Sequence, residues 1–343
     1  MKEAVFPWQT ELYGRLLALR RHLPNGLIVA GPRGLGTFEL VHRFAKDLLC
    51  ENPRPDGSAC GVCAGCRLAQ AGNHPDLRYV LSESEALARG LPYEPPSGGA
   101  TRRKPSEDIL IHEPLSLENF LTLSSHRGEH RVVLVYPADR IRADAASVFL
   151  KMLEEPPQDL IFLLVAEDLD AILPTIRSRC LIFRALPPMR ATAIRWLKEQ
   201  GLTAPETALA EAGGMPLLAL ALARLDEKPR EELASLLGSV LEGSDWVGRV
   251  IAAVPKDANQ AEAVWFLQRW GWDLLAVKQG LAPRYFPRQN KVLQVLAASA
   301  DAEKLFRWIH ELNRLREAAG HPLNAKLSTE RILLLYQGIF ARR

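Results

Sequence analysis

Gly-Leu-Ile-Val-Ala-Gly-Pro-Arg-Gly-Leu-Gly-Thr-Phe, at residues 26–38, is the stretch of sequence that decides the fold. An apolar run at 26–30 leads into a glycine-rich turn, and a helical pattern of apolar residues follows through Phe44. This order of strand, loop and helix is the setting of a Walker A phosphate-binding loop, G-x-x-x-x-G-K-[ST]. Gly31 and Gly36 stand at the spacing that this motif requires. The sequence therefore predicts the first strand–loop–helix unit of an α/β domain.

Two residues of the loop differ from the phosphate-binding pattern. Thr37 replaces the lysine that reaches the β- and γ-phosphates, and Phe38 replaces the hydroxyl that binds Mg²⁺. Charge neutralisation and metal placement carry most of the catalysis in phosphoryl transfer. The glycine backbone of Gly31 and Gly36 can remain without that chemistry. We therefore expect that this chain binds no ATP and has no ATPase activity of its own.

The strand run at 131–136 supports the same expectation. A working ATPase of this type carries acidic residues where that strand ends, to hold Mg²⁺ and orient water. Here the end reads Val135-Tyr136-Pro137-Ala138-Asp139. Asp139 falls past the proline, so a solvated or capping carboxylate is favoured over a Mg²⁺ ligand. Two independent losses favour an inactive nucleotide site more strongly than either loss alone.

Apolar strand-like runs alternate with helical patterns in the first half of the chain. Further runs lie at 160–165 and 180–183, and a helix is predicted over Ala143–Glu154, where Pro156-Pro157 ends it. Continuous apolar strands between helices are typical of a parallel sheet that is covered on both faces. Residues 83–108 interrupt this pattern with polar, Pro- and Gly-rich sequence, which predicts a mobile surface insertion.

Beyond Pro187-Pro188 only helical patterns occur. We predict three domains: an α/β domain over 1–186, a small helical domain over 187–242 and a larger helical domain over 243–343. Three tryptophans of the last domain are interpreted as packing residues rather than as stacking platforms for bases. They are Trp265, Trp270 and Trp272.

The composition is that of a globular protein, with 343 residues of which 48% are hydrophobic and 24% charged. The net charge of +3 allows nucleic acid as a partner without favouring it. No apolar stretch approaches the roughly 20 residues that span a bilayer, and the N-terminus has no apolar signal region. We therefore expect a cytoplasmic protein with no membrane partner, in which thiols stay reduced.

Four of the five cysteines lie in one short segment with the pattern C-x9-C-x2-C-x2-C. Zn²⁺ takes four thiolates tetrahedrally, and a two-residue spacer lets one turn point two sulfurs at the same ion. The pattern predicts one structural Zn²⁺ per chain, with an Fe–S cluster and four unrelated buried thiols as alternatives. Cys180 is interpreted as a packing residue, and His74 is not expected to be a ligand because the set is complete. The predicted ligands are Cys50, Cys60, Cys63 and Cys66.

A second chemical candidate is an arginine turn over residues 174–180, Pro-Thr-Ile-Arg-Ser-Arg-Cys, just before the last strand run. A guanidinium on a short rigid turn can fork onto phosphate oxygens. When it is supplied to the ATP site of another molecule, it can raise the rate of phosphoryl transfer about 10³–10⁵-fold. The alternative interpretation of Arg179 is an ordinary surface or ion-paired arginine.

The motifs of the first 216 residues resemble those of the AAA+ subunits of the bacterial DNA polymerase III clamp loader. The gamma/tau ATPases of that family keep the Walker A lysine and the acidic pair, so the losses here resemble its delta-prime type. Two features depart from the family: the long segment 83–108, and Met215-Pro216-Leu217 where active members carry a nucleotide-contacting arginine. The matching segments are Pro7-Trp8, residues 31–38, the four cysteines, His74-Pro75-Asp76, residues 150–157 (Leu-Lys-Met-Leu-Glu-Glu-Pro-Pro), Ser178-Arg179-Cys180 and Gly213-Gly214-Met215-Pro216.

This resemblance implies an AAA+ domain with a zinc module, a helical lid and a helical collar for oligomerisation. It implies a subunit of a DNA polymerase holoenzyme that is inactive as an ATPase. Arg179 would act in trans as an arginine finger, with Ser178 positioning the turn, so that the sliding clamp is loaded on primer–template DNA. The implied partners are the gamma/tau ATPases, the delta subunit and the sliding clamp. The alternative is a zinc-containing nucleic-acid-binding module on an inactive AAA+ scaffold, which would need a concentrated basic face.

Overall fold

The computed structural model describes residues 5–93, 95, 105–122, 124–157, 159–225, 227–242, 245–253, 260–318 and 325–340. The chain forms two compact units, Met1–Thr192 and Ala193–Arg343. The division falls slightly after the predicted boundary at residue 186. The two helical domains that the sequence predicts beyond it lie in one unit, and their separation at residue 242 stays a prediction.

The first unit is built on a five-stranded parallel sheet. Its strands are β1 (Gly26–Ala30), β2 (Leu77–Leu81), β3 (Arg131–Tyr136), β4 (Leu160–Ala166) and β5 (Leu181–Arg184). They lie in the order β2-β3-β4-β1-β5, and Ile28 of β1 pairs with Leu164 of β4 and Ile182 of β5. Every residue of β1, β3 and β4 is buried, which explains why these strands read as continuous apolar runs. The predicted α/β class with a parallel sheet is confirmed.

Helices complete the core of this unit. Phe149, on the helix predicted over Ala143–Glu154, is fully buried against Ile28, Val133 and Phe162 of the sheet. The second helix contacts β3 and β4 and carries the fully buried Phe44. The helices are α1 (Thr10–Ala18), α2 (Thr37–Leu48), α3 (Ala64–Gln70), α4 (Glu83–Arg89), α5 (His112–Leu115), α6 (Glu118–Thr122), α7 (Ala143–Glu154) and α8 (Pro174–Arg177).

Helix α4 corrects the prediction that residues 83–108 are a mobile insertion without structure. Ser82 caps it by accepting a hydrogen bond from the Glu85 N–H at 3.4 Å, and Gly90 ends it in the left-handed conformation at φ 62°. Acidic residues in the first turn and Arg89 in the last turn complement the helix dipole. Residues 94 and 96–104 of the predicted insertion lie outside the described residues.

The second unit is helical throughout its described residues. Its helices are α9 (Arg190–Glu199), α10 (Pro205–Glu211), α11 (Pro216–Ala223), α12 (Lys228–Gly238), α13 (Trp246–Ala253), α14 (Gln260–Lys278), α15 (Asn290–Ser299), α16 (Ala302–Ala318) and α17 (Ala325–Gly338). A small apolar cluster joins α9 to α11, and a larger cluster lies among α12 to α17. The buried Arg269 of α14 donates a hydrogen bond to the carbonyl of Glu211, the last residue of α10.

Aromatic rings form the centre of the larger cluster. Trp270 is fully buried and donates a hydrogen bond to the Tyr336 hydroxyl at 2.8 Å. That hydroxyl donates to the Leu237 carbonyl at 3.2 Å. The packing interpretation is thus confirmed for Trp270, but it is wrong for Trp272, which is 58% exposed. The reason is geometric, because residues two positions apart on a helix point to nearly opposite faces.

Among the described residues, no single helix combines the length and the apolar composition needed to cross a bilayer. Helices α10 and α11 pass such a test only when they are taken together, and a bend of 108° separates them.

Trp270→Ala should lower the free energy of unfolding by about 3–5 kcal/mol, because it removes a buried ring and leaves the Tyr336 hydroxyl without its donor. Trp272→Ala, on the exposed face of the same helix, is the matched control and should cost below about 1 kcal/mol. Urea denaturation followed by far-ultraviolet circular dichroism measures both. Equal losses for the two variants would contradict this assignment of the core.

Candidate functional site

The phosphate-binding loop keeps its shape. The Gly31 N–H donates to the Ala166 carbonyl at 3.0 Å, so the loop starts where β1 meets the end of β4. Gly34 and Gly36 adopt φ angles of 90° and 79°, which favour glycine. Trp8 and Gln9 donate side-chain hydrogen bonds of 2.9 Å to the Leu35 carbonyl, and Gln9 donates a second of 2.7 Å to the Gly36 carbonyl. The backbone cradle of the motif is therefore present and held from outside.

The position of the missing Mg²⁺ ligand is filled by an aromatic–cation stack. Phe38 is buried, and the Arg89 guanidinium of α4 lies 3.9 Å from the centre of its ring. The same guanidinium lies 5.2 Å from the centre of the Tyr136 ring. Arg89 also pairs with Glu39 at 2.7 Å and with Glu85 at 3.1 Å. Helix α4 is thereby packed onto the start of α2.

Carboxylates surround the loop on the side of α4 and β4. Arg33, on the loop itself, approaches Glu85 at 3.5 Å and Glu167 at 3.9 Å. The Tyr136 hydroxyl donates to Glu167 at 2.9 Å, and burial raises the pKa of that carboxyl. Because like charges repel, these carboxylates oppose entry of a triphosphate. That Thr37 and Phe38 mark a loop without nucleotide stays a prediction.

Thr37 and Asp139 make different contacts beside the loop. The Thr37 hydroxyl is buried and has no hydrogen-bond partner within the described part of the chain. Asp139 accepts a hydrogen bond from the Glu167 N–H at 3.0 Å. It thus caps the backbone that follows β4, which is the role that its place after Pro137 predicts.

The four clustered cysteines come together as the spacing predicts. Their sulfur atoms all lie within 4.8 Å of one another, with Cys50 Sγ 3.9 Å from Cys63 Sγ and Cys60 Sγ 3.9 Å from Cys66 Sγ. Four thiolates at about 2.3 Å from one ion would be about 3.8 Å apart. The sulfurs therefore fit a tetrahedral metal ion, and they leave no open position for a substrate.

Backbone N–H groups point at these sulfurs. Cys60 Sγ accepts from the N–H of Val62 at 3.5 Å and from the N–H of Cys63 at 3.3 Å. These donors lower the pKa of the Cys60 thiol to about 6. Burial raises the pKa of Cys66. Because the thiolate is the metal ligand, the N–H donors favour the binding form at the exposed end of the cluster.

Asp47 fastens the cysteine segment to the α/β domain. It is fully buried and accepts hydrogen bonds from the Tyr13 hydroxyl at 2.6 Å and from the Ala59 N–H at 2.8 Å. Arg20 donates from its two terminal nitrogens to the carbonyls of Asp47, Cys50 and Gly57. Helices α1 and α2 therefore hold both ends of the loop that carries the first two cysteines.

Neither remaining candidate joins the metal cluster. His74 is buried, its Nδ1 accepts from the Asp76 N–H at 3.1 Å, and its Nε2 has no partner among the described residues. Cys180 is partly buried and packs against the sheet cluster. Both agree with their predicted roles outside the ligand set.

The arginine turn places Arg179 at the surface. Its guanidinium donates from Nη2 to Glu154 at 2.6 Å, and from Nη1 to the Thr175 carbonyl at 2.9 Å and to the Ser178 hydroxyl at 3.2 Å. Arg177, the neighbouring candidate, pairs with Asp170 at 2.9 Å. The structure thus brings Ser178 to Arg179, and both arginines have a carboxylate partner in their own chain.

Sequence patterns missed three residues of these sites. Arg89 lies in the segment predicted to be an insertion, and Asp47 lies in an ordinary helix. Glu154 lies in the Leu-Glu-Glu-Pro-Pro segment, but nothing in the spacing pairs it with Arg179. A helical signal for α4 was available in Ser82 followed three residues later by Glu85, the pattern of a capping box.

Comparison with known proteins supplies the family. The family model described as "DNA polymerase III, delta subunit" matches residues 15–189. Over 268 residues the chain is 30% identical to DNA polymerase III subunit delta' of Escherichia coli, covering 76% of this chain and 73% of that protein. This chain belongs to the delta-prime family of DNA polymerase III subunits.

Two further members of the delta-prime family show how far the similarity extends. The delta' subunit of Pseudomonas aeruginosa is 34% identical over 220 residues, which cover 63% of this chain and 60% of that protein. The delta' subunit of Yersinia pestis is 28% identical over 351 aligned positions, which cover 98% of this chain and 94% of that protein. The similarity therefore includes the helical second unit.

Arg89→Ala should lower the free energy of unfolding by about 1–3 kcal/mol. The substitution removes the cation that two aromatic rings and two carboxylates contact. Arg33→Ala, whose side chain is 67% exposed, is the control and should cost no more than about 0.5 kcal/mol. Chemical denaturation measures both variants. A cost for Arg33→Ala equal to that for Arg89→Ala would show that the stack on Phe38 is unimportant.

The isolated chain should bind no ATP in the presence of Mg²⁺, and the double variant Thr37→Lys, Phe38→Ser should bind none either. Restored loop residues would still meet the carboxylates of Glu85 and Glu167. Isothermal titration calorimetry on both proteins measures this, with circular dichroism as the control for folding. Micromolar binding by the wild-type chain would overturn the interpretation of the loop.

Proposed function

We propose that this chain is an ATPase-inactive subunit of a clamp-loader complex and that Arg179 completes the ATP site of a neighbouring subunit. The observation that carries the proposal is an exposed arginine of phosphate-binding type on a chain whose own nucleotide loop is filled. An arginine held for nucleotide chemistry has no substrate within such a chain. Its substrate would be ATP bound by another subunit.

The charge that Arg179 would stabilise develops on the γ-phosphoryl group during transfer. A guanidinium stays charged at all physiological pH values and can make two parallel hydrogen bonds to phosphate oxygens. Such preorganised donors act on the transition state because they need no reorganisation when the charge appears. Ser178 would set the turn from which the guanidinium projects.

The family supports the choice of partners. The chain belongs to DNA polymerase III subunits, so the proposed neighbours are the gamma/tau ATPases, the delta subunit and the sliding clamp, with primer–template DNA as the substrate of the whole complex. Residues 243–343 would form the collar that joins these subunits. Such a complex places the chain in the cytoplasm.

We also propose that the metal of the cysteine cluster is Zn²⁺ in a structural role. Four thiolates with sulfur–sulfur distances of a tetrahedron match Zn²⁺, and a closed set of four ligands leaves no site for catalysis. The segment between Cys50 and Cys66 contributes few apolar residues to the core, so metal binding would supply folding free energy there.

Arg179→Ala in a reconstituted complex should leave assembly intact and lower DNA- and clamp-stimulated ATP turnover at least about tenfold, since a trans arginine is worth about 10³–10⁵-fold in related systems. Arg179→Lys should restore little, because lysine lacks the fork. Arg177→Ala is the matched control on the same turn. Steady-state ATP hydrolysis and clamp loading are the measurements.

The outcomes separate three interpretations. If Arg177→Ala lowers ATP turnover and Arg179→Ala does not, then Arg177 and not Arg179 is the arginine finger. No effect of either change would leave this chain as a scaffold. Retained DNA binding by the isolated chain without any ATPase partner would favour the zinc-containing nucleic-acid-binding module instead.

Metal analysis of the native chain should give about one zinc per chain. Cys63→Ser should lower the zinc content and the thermal stability, and Cys180→Ser should leave the zinc content unchanged because Cys180 lies outside the cluster. Mass spectrometry and thermal denaturation are the measurements. An iron–sulfur absorption band, or metal-free protein of unchanged stability, would contradict the zinc assignment.

A further inference from the structure

The Arg179 guanidinium is held from one side by its own chain. Both hydrogens of Nη1 are matched by acceptors, the Thr175 carbonyl and the Ser178 hydroxyl. Nη2 donates once, to Glu154 Oε1 at 2.6 Å. A guanidinium has five N–H donors, so one N–H of Nη2 and the N–H of Nε have no acceptor among the described residues. Two donors are what a bidentate contact with a phosphate needs.

The place of Glu154 argues for a role beyond helix stability. Glu154 is the last residue of α7, where the negative end of the helix dipole disfavours a carboxylate. After one further residue, Glu155, Pro156 and Pro157 restrict the backbone. Its side chain contacts Arg179, in the turn between α8 and β5. The pairing partner, and not the helix, accounts for an acidic residue at this position.

The ion pair is too exposed to be explained by stability alone. The side chains of Arg179 and Glu154 are 36% and 49% exposed, and exposed pairs contribute little to the free energy of unfolding. The same contacts do affect the orientation of Arg179. The Glu154 carboxylate and the two Nη1 acceptors together limit the rotation of its long side chain. Arg179 would therefore be oriented before the phosphoryl group is transferred.

We infer that Glu154 is the positioning residue of Arg179: it holds Nη2 so that the N–H groups left free face the nucleotide of the adjoining subunit. This inference rests on the proposed trans role of Arg179. It concerns geometry, so Glu154 lowers the barrier by keeping Arg179 in place and contacts neither ATP nor Mg²⁺. The carboxylate stays on Arg179 during the reaction.

Three substitutions of Glu154, one double variant with Arg179→Ala and one control test the inference. All are measured in the reconstituted complex with purified partner subunits, clamp and primer–template DNA. Glu154→Ala should lower kcat about tenfold with little change in KM, because misplacing a catalytic group by about 1 Å can cost up to 10²-fold. Glu154→Gln should keep most of the rate, since its amide oxygen still accepts from Nη2. Glu154→Asp keeps the charge and loses the reach, so it should resemble Glu154→Ala. Arg179→Ala combined with Glu154→Ala should match Arg179→Ala alone. Asp170→Ala, which removes the carboxylate of Arg177, should leave kcat unchanged.

The results separate this inference from the proposed function. If Arg179→Ala itself has no effect on turnover, the proposed function fails. If Arg179→Ala lowers turnover while Glu154→Ala leaves it unchanged or raises it, only the positioning role is overturned. Additive losses in the double variant, or a loss with Glu154→Gln as large as with Glu154→Ala, would also overturn it. Gel filtration of each complex confirms assembly, and Glu154→Asp and Glu154→Gln still decide if Glu154→Ala does not assemble.

Discussion

Strand β1 is the constraint on which the arrangement of the first unit depends. It lies between β4 and β5 in an all-parallel sheet, so it has a hydrogen-bonded partner strand on each side. Because the strands run in one direction, their carboxyl ends meet at one edge of the sheet. That edge collects Gly31 after β1, Tyr136 at the end of β3 and Glu167 after β4. The amino end of β5 lies at the opposite edge, and Arg179 precedes it. The glycine-rich loop and the exposed arginine therefore lie at opposite ends of one sheet.

Sequence pattern predicted this sheet well because burial on both faces leaves continuous apolar runs. The cysteine cluster was equally predictable from the sequence, since two-residue spacers between cysteines constrain the positions of the sulfurs locally. The misses have a common cause, which is dependence on contacts distant in sequence. Helix α4 is rich in charged residues, and its Arg89 packs on Phe38, which lies on a helix distant in sequence. Trp272 and Trp270 are the same residue type in one helix, and only the angle about the helix axis separates an exposed ring from a buried one. Glu154 and Arg179 lie on different elements, so no local pattern pairs them.

The cysteine segment shows how a small metal module joins a larger domain. Few of its residues are apolar, and its attachment depends on polar groups, above all Asp47. A buried carboxylate is stable only when its oxygens accept hydrogen bonds. Here the Tyr13 hydroxyl and the Ala59 N–H donate to Asp47. The module therefore takes its orientation from α1 and α2. A bound metal ion would order the sulfurs, and Asp47 orders the module relative to the sheet.

Filling a loop with residues of the same chain has a consequence for the response to nucleotides. The association of Arg89 with Phe38, Glu39 and Glu85 is intramolecular, so it needs no ligand from solution. An ordinary nucleotide site alternates among empty, ATP-bound and ADP-bound states, and its surroundings alternate with it. Under the proposal that this loop binds no nucleotide, it would keep a single state at every ratio of ATP to ADP. The edge of the sheet beside it would then keep one arrangement while adjoining molecules change theirs with the nucleotide that they bind.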